Sequence, residues 1–244
     1  MEKALEVNDL TKLYKNGRGI SGMTFEINRG DVLGLLGPNG SGKTTSMKAI
    51  CGLCRPDKGH ARIFGHSIDE EFELAMEKVG CLIEMPSLYE YLTAQKNLKL
   101  MARLYEGITV ERIDHILRVV RLDKYRNERV SRFSLGMKQR LGLAMALISE
   151  PELVILDEPA NGLDIEGMVE IRDIITRMAS EKGTTFLISS HLAGEIEKTC
   201  NKVAVVYEGE MLSFETMEQA LRLSPTLEDY FLTKVRDKRG VVAI

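Results

Sequence analysis

The chain has 244 residues, of which 44% are apolar and 28% charged, with a formal net charge of −3. That length and composition suit one large α/β domain, or one domain carrying a smaller insert. The slight acidic excess argues against a general nucleic-acid binder, and no apolar run approaches the roughly 18 residues that span a bilayer.

From residue 4 onward the pattern favours short strands: ALEVNDL, GMTFEIN and then DVLGLLG. The last leads into GPNGSGKTT, Gly37 to Thr45, followed by the helix-compatible run SMKAICGL. Cys51 and Cys54 form a CxxC at the end of that helix. No second CxxC exists, and redox pairs need a helix N-terminus to stabilise the thiolate, so both are read as packing residues. GHARIFG (59–65) and VGCLIE (79–84) are further short strands. Helices are predicted at about 93–105 and 110–122, the second from Val110, Ile113, Ile116, Leu117 and Val120 at helical spacing. A third helix begins after Ser134 and runs to Ser149. ELVILD (152–157) and TTFLIS (184–189) are continuously apolar, as parallel strands buried on both faces are. Met168, Ile171, Ile175 and Met178 mark the crossover helix between them. KVAVVYEGEMLSF (202–214) reads as a hairpin, two short helices close the fold, and residues 236–244 are expected to fray. The expected fold is α/β: a phosphate-loop NTPase core with a mainly parallel sheet, an N-terminal antiparallel β layer, and a helical subdomain inserted at roughly 85–150, the whole spanning 1–235.

Three motifs carry chemistry. Gly37, Gly42, Lys43 and Thr44 fit the phosphate-loop pattern G-x-x-x-x-G-K-[ST], in the strand–loop–helix context it needs. Glycines at 37, 40 and 42 permit a tight loop whose backbone N–H groups face phosphate oxygens. The helix N-terminus adds a partial positive charge, Lys43 a full one, and Thr44 a hydroxyl for Mg²⁺. In LVILDEP the apolar strand ends in Asp157 and Glu158, at the sheet edge where ligands bind. Asp157 is suited to hold Mg²⁺, and Glu158 to polarise the attacking water. In FSLGMKQR, Ser134 stands where a helix cap belongs, with Gly136 just inside; this is a second anion site or a simple capped helix.

GPNGSGKTT, FSLGMKQR, LVILDEP, ANGLD (160–164) and SSH (189–191), in that order, resemble the nucleotide-binding subunits of ABC transporters, from Leu5 to about Leu232. The resemblance implies the ABC ATPase fold and ATP hydrolysis with Mg²⁺. It also implies a second ATPase subunit, the same or different, paired head to tail, and a transmembrane permease on another polypeptide. The chain would then lie in the cytoplasm, on the inner face of the membrane, with no nucleic-acid partner. The ATP site implied is Gly37, Pro38, Asn39, Gly40, Ser41, Gly42, Lys43, Thr44 and Thr45, with Tyr14 stacking on adenine. Ser134, Gly136 and Asp164 would serve the partner's ATP, and His191 would contact the γ-phosphate. Two departures stand out. Leu135 and Met137 replace the usual Gly and Gln of the signature. Glu84 stands where the family usually has a glutamine reaching Mg²⁺ and the γ-phosphate. That glutamate, in IEMPSLYEYLTA, is similar to transporters protecting bacteria from lantibiotics and bacitracin, which makes peptide antibiotic export the leading expectation. The alternatives are an ABC transporter for another substrate, such as a nutrient importer, or a soluble ABC ATPase acting on ribosomes or DNA.

Overall fold

A computed structural model describes residues 2–240. The chain runs β1 (Lys3–Leu13), β2 (Gly19–Asn28), β3 (Val32–Leu36), α1 (Lys43–Ile50), β4 (Lys58–Ile63), β5 (His66–Ser67), α2 (Phe72–Met76) and β6 (Val79–Leu82). Three helices follow: α3 (Ala94–Ala102), α4 (Val110–Val119) and α5 (Leu135–Leu147). The chain then returns through β7 (Leu153–Leu156), α6 (Ile165–Lys182), β8 (Thr185–Ser190), α7 (Ala193–Thr199), β9 (Lys202–Tyr207), β10 (Glu210–Thr216), α8 (Met217–Leu223) and α9 (Leu227–Arg239).

Two sheets result. One is antiparallel in the order β2-β1-β4-β5; the other runs β10-β9-β3-β8-β7-β6. In the second, β9, β3, β8, β7 and β6 are mutually parallel and β10 is an antiparallel edge. β3, β7 and β8 are buried along their whole length, which is why they read as unbroken apolar runs. Their alternate residues feed two cores. Leu33, Leu35, Leu153, Ile155 and Leu187 meet the antiparallel sheet and α1. Leu36, Val154, Leu156, Phe186 and Ile188 meet the helices on the other face. Every C-terminal end of the parallel strands therefore opens on one edge, where the connections to α1, α6 and α7 begin.

The structure extends several expected elements. β1 continues past Asn8-Asp9, because Asp9 (φ 47°) takes up a register shift between Val7 and Leu10 as a bulge. α2 and α7 are too short to show a helical period, and tertiary contacts hold them: Ala75 and Ile196 are buried in the two cores. Cys51 is buried and Cys54 half-buried, as packing residues; the thiol that Cys51 meets is Cys81 on β6, not Cys54. The segment expected to fray begins inside a helix. α9 continues to Arg239 and ends on Gly240 (φ 65°), with Lys238 paired to Glu210 and Arg239 bonded to the Tyr207 hydroxyl. The run RDKR has no apolar period, and its order comes from these contacts with the β9–β10 hairpin. The remainder of the expected frayed segment, 241–244, lies outside the described residues.

Candidate active site

Loop 37–42 joins β3 to α1 at the sheet's C-terminal edge. The Gly37 N–H donates to Ser190 O at 3.2 Å, and a Cβ at this position would lie 2.1 Å from Val206 O. Gly42 (φ 108°) caps α1 with no side-chain acceptor, so the first-turn amides remain directed at the loop. Pro38, Asn39 and Gly40 form the exposed rim, Ser41 is buried, and Thr45 lies half-buried in the first turn of α1. The Lys43 ammonium donates to Gly37 O at 2.8 Å and Pro38 O at 3.1 Å, and lies 3.2 Å from Glu158 Oε1. A cation only 5% exposed is thus held beneath the loop by oxygens alone.

The acids of the β7 strand end stand opposite. Thr44 Oγ1 donates to Asp157 Oδ2 at 2.7 Å. Ser189 on β8 donates to Asp157 Oδ1 at 2.5 Å and accepts from the Glu158 N–H at 2.8 Å. One hydroxyl thereby positions both acids. Glu158 has left-handed backbone (φ 48°), and its Oε2 lies 2.8 Å from His191 Nδ1. The Thr44 hydroxyl and Asp157 carboxylate, in mutual contact, are hard oxygen donors of the kind a magnesium ion takes alongside water and substrate phosphates.

Glu84 follows β6, also in left-handed backbone (φ 65°). Its Oε1 lies 2.5 Å from Lys48 Nζ on α1. That bond, reinforced by Tyr14 and Asp157, holds the Lys48 ammonium above its ordinary pKa. Tyr14 is exposed on the turn after β1, where its N–H donates to Arg18 O and its own carbonyl accepts from Gly17 N–H.

A second cluster forms where the insert meets α6. Ser134 caps α5, its Oγ accepting from Met137 N–H at 3.2 Å, and Asp164 caps α6, accepting from Gly167 N–H at 2.9 Å. The two caps line one cleft of about 570 Å³ with Gly136 and Leu163. A Cβ added at Gly136 would come no closer than 3.9 Å to its neighbours, so nothing among the described residues requires glycine there. No hydrogen bond among the described residues joins Ser134 or Gly136 to loop 37–42.

Residues 20–161 match the family model for ABC transporters. The bacitracin transport ATP-binding protein BcrA of Enterococcus faecalis is 42% identical over 212 residues, covering 87% of this chain and 69% of that protein. The lantibiotic transport ATP-binding protein SrtF of Streptococcus pyogenes is 37% identical over 231 residues, covering 95% of this chain and 97% of that one. A solved ATP-binding subunit of an ABC transporter superposes with a TM-score of 0.84 at 29% identity, covering 95% of this chain and 99% of that one. The chain belongs to the ABC transporter family. It is an ATP-binding, ATP-hydrolysing subunit of an ABC transporter. No helix among the described residues is long and apolar enough to cross a membrane.

The fold of this ABC ATPase brings the sequence-predicted residues other than Tyr14 into two groups. Loop 37–45, Glu84, Asp157, Glu158 and His191 gather at one sheet edge, while Ser134, Gly136 and Asp164 gather at the insert. Sequence reasoning missed Ser189 and Lys48. Ser189 sits in a strand buried on both faces, where alternation carries no signal. Lys48 lies on α1 as an ordinary helical lysine, and only the backbone turn at Glu84 reveals its partner.

Proposed function

We propose that this ABC ATPase powers a separate permease that exports peptide antibiotics, working as a head-to-tail pair with a second ATPase subunit at the inner face of the membrane. The observation that carries the substrate class is Glu84, in the position of the usual glutamine, held by Lys48 in strained backbone at the end of β6. The bacitracin and lantibiotic transport relatives support the same reading.

In this reading the loop amides and Lys43 bind the triphosphate, Lys43 exchanging its carbonyl contacts for phosphate oxygens. Tyr14 supplies a stacking face for adenine. Thr44 and Asp157 hold Mg²⁺, whose chemistry is to neutralise charge on the phosphate oxygens. Glu158 accepts the proton of the attacking water, and His191, bonded to its other oxygen, fixes its orientation and faces the γ-phosphate. Ser134 Oγ accepts from its own helix, which leaves its hydroxyl proton free to donate to the partner's triphosphate. Gly136 and Asp164 complete that trans surface. Glu84, neutralised by Lys48, meets the metal side of the site and passes nucleotide state to the permease through the following segment. Met85, Tyr89, Tyr91 and Leu104 are exposed there, an apolar surface suited to the permease's cytosolic helices.

The test is to express this subunit with its permease and measure survival against bacitracin and a lantibiotic beside ATP hydrolysis. Wild type should protect and Lys43→Ala should not. Full hydrolysis without protection against either peptide would remove the substrate assignment while leaving the ATPase assignment intact.

A further inference from the structure

The strand that leads into Tyr14 ends on a side chain rather than on another strand. β1 runs to Leu13, but β4 begins only at Lys58, whose partner on β1 is Thr11. Beyond that pair the edge of β1 facing β4 has no strand opposite it. The Asp57 carboxylate takes the vacant place: Oδ2 accepts from the Leu13 N–H at 2.7 Å and Oδ1 from the Lys12 ammonium at 3.0 Å. These bonds, the Leu13 amide first, hold the Asp57 carboxyl below the usual carboxylate range.

Asp57 is itself fixed from both sides. Its N–H donates to Thr11 O at 2.7 Å. Two residues on, Gly59 (φ 75°) brings β4 against the bulge at Asp9, where a Cβ would lie 2.2 Å from Asp9 O. Only glycine permits that approach, and it sets the level at which Asp57 meets β1.

The turn that Asp57 supports is closed on itself. Tyr14 N–H donates to Arg18 O at 2.8 Å, Gly17 N–H to Tyr14 O at 2.9 Å and Arg18 N–H to Asn16 Oδ1 at 3.1 Å. Such a unit is placed by the last residues of β1 and the first of β2. Lys12, gripped by Asp57, also lies 6.0 Å over the Tyr14 ring. One carboxylate thus reaches Tyr14 by two routes, through the preceding amide and through the cation above the ring. Asp57 lies on the connection from α1 to β4, so the helix that carries Lys43 and Thr44 leads directly to this support.

We propose that Asp57 is a positioning residue for nucleotide binding, holding Leu13 and Lys12 so that Tyr14 is aimed at the adenine. This role rests on the proposed stacking of Tyr14 on adenine. The base contact then depends on Asp57, and the phosphate contacts do not.

The test is calorimetric titration of the full chain, with magnesium present, against ATP and against inorganic tripolyphosphate, which carries no base. Asp57→Ala should weaken ATP about three- to tenfold, the size of one aromatic stacking contact, and leave tripolyphosphate within about twofold. Asp57→Asn keeps an acceptor for the Leu13 N–H and should hold ATP within about twofold of wild type. In a Tyr14→Ala background, Asp57→Ala should weaken ATP no further. Three results would each overturn the positioning role: equal loss of both ligands in Asp57→Ala, equal loss of ATP with and without Tyr14, or wild-type ATP affinity in Asp57→Ala beside a weakened Tyr14→Ala. Wild-type ATP affinity in Tyr14→Ala would instead remove the stacking reading, and the role of Asp57 with it.

Discussion

Glu84 and Glu158 are two of the four glutamates in left-handed backbone among the described residues, at φ 65° and 48°, a conformation costing non-glycine residues about 1–3 kcal/mol. Each is held there by a bond at its own end: Lys48 grips the Glu84 carboxylate, and Ser189 grips the Glu158 amide. Replacing Glu158 by Gln keeps shape and removes the base, so turnover should fall by about 10²–10⁴ while ATP affinity stays near wild type. Turnover at the wild-type rate would mean that Glu158 is not the base. Ser189→Ala removes a hydrogen bond to a charged carboxylate, about 1.5–3 kcal/mol, and frees both acids. Its kcat should drop at least tenfold with ATP binding retained; an unchanged kcat would reduce Ser189 to a packing residue. At Cys81 the bond from Cys51 lowers the thiol to about 7, whereas Cys51, which shares that bond and is buried, is raised. A lowered thiol pKa favours thiolate above it, so iodoacetamide labelling of Cys81 should accelerate as pH rises through about 7. Mass spectrometry finding Cys51 labelled first would contradict this.

At the scale of elements, helix caps do double service. Ser134, Asp164 and Gly42 each begin a helix, and each also stands at a candidate phosphate-facing surface. Ser134→Arg should cost about 1 kcal/mol in lost capping, and the monomer should still fold and bind ATP. Hydrolysis should nevertheless be lost, because the arginine would occupy the partner's phosphate position. Normal hydrolysis by this variant would defeat the trans-site assignment. α9 shows the reverse case, an element held by its contacts rather than its composition. Tyr230 is buried on it and its hydroxyl has no hydrogen-bond partner among the described residues. Tyr230→Phe should therefore leave stability unchanged or raise it by up to about 1 kcal/mol, whereas Tyr230→Ala should cost about 3–5 kcal/mol. Urea unfolding of both variants checks the pair, and a large loss in Tyr230→Phe would indicate an unrecognised partner for that hydroxyl.

Across the whole molecule, two clusters with no side-chain hydrogen bond between them among the described residues become the two halves of a site in the proposed pairing: the phosphate loop with its acids, and the Ser134–Asp164 surface. Beside the second lie Leu135 and Ile165, 39% and 77% exposed, an apolar patch suited to cover by a second subunit. Glu158→Gln with ATP should accumulate as a dimer by light scattering; a monomer under those conditions would argue against nucleotide-driven closure. In the proposed reading Glu84 links nucleotide state to the permease. Glu84→Gln should keep hydrolysis within about tenfold, ~1.4 kcal/mol in barrier, and Glu84→Ala should lose more. Both should reduce antibiotic protection more than hydrolysis, and if Glu84→Ala left both unchanged, the argument for peptide export would lose its main support.

The parallel core, the phosphate loop and the acids after β7 were legible because local rules dictate them. A strand buried on both faces must be continuously apolar, a loop around phosphate must carry glycine and lysine, and a helix must be capped. The family resemblance added expected roles for Ser134, Asp164 and His191; the residues by themselves left Ser134 as an ordinary cap and His191 as a lone histidine, and gave no signal for Asp164. What the sequence could not show was partnership across distance. Ser189 with Asp157, Lys48 with Glu84, Cys51 with Cys81 and Arg239 with Tyr207 are each separated by at least 29 residues of intervening chain. No local period encodes such pairs. The bulge at Asp9 and the order of α9 likewise follow from packing on neighbouring strands, which overrides local preference once the sheets are assembled. The sequence by itself determined which chemistry this chain carries; the tertiary structure alone decided which side chains hold that chemistry in place, because a contact between distant residues exists only after the strands between them have paired.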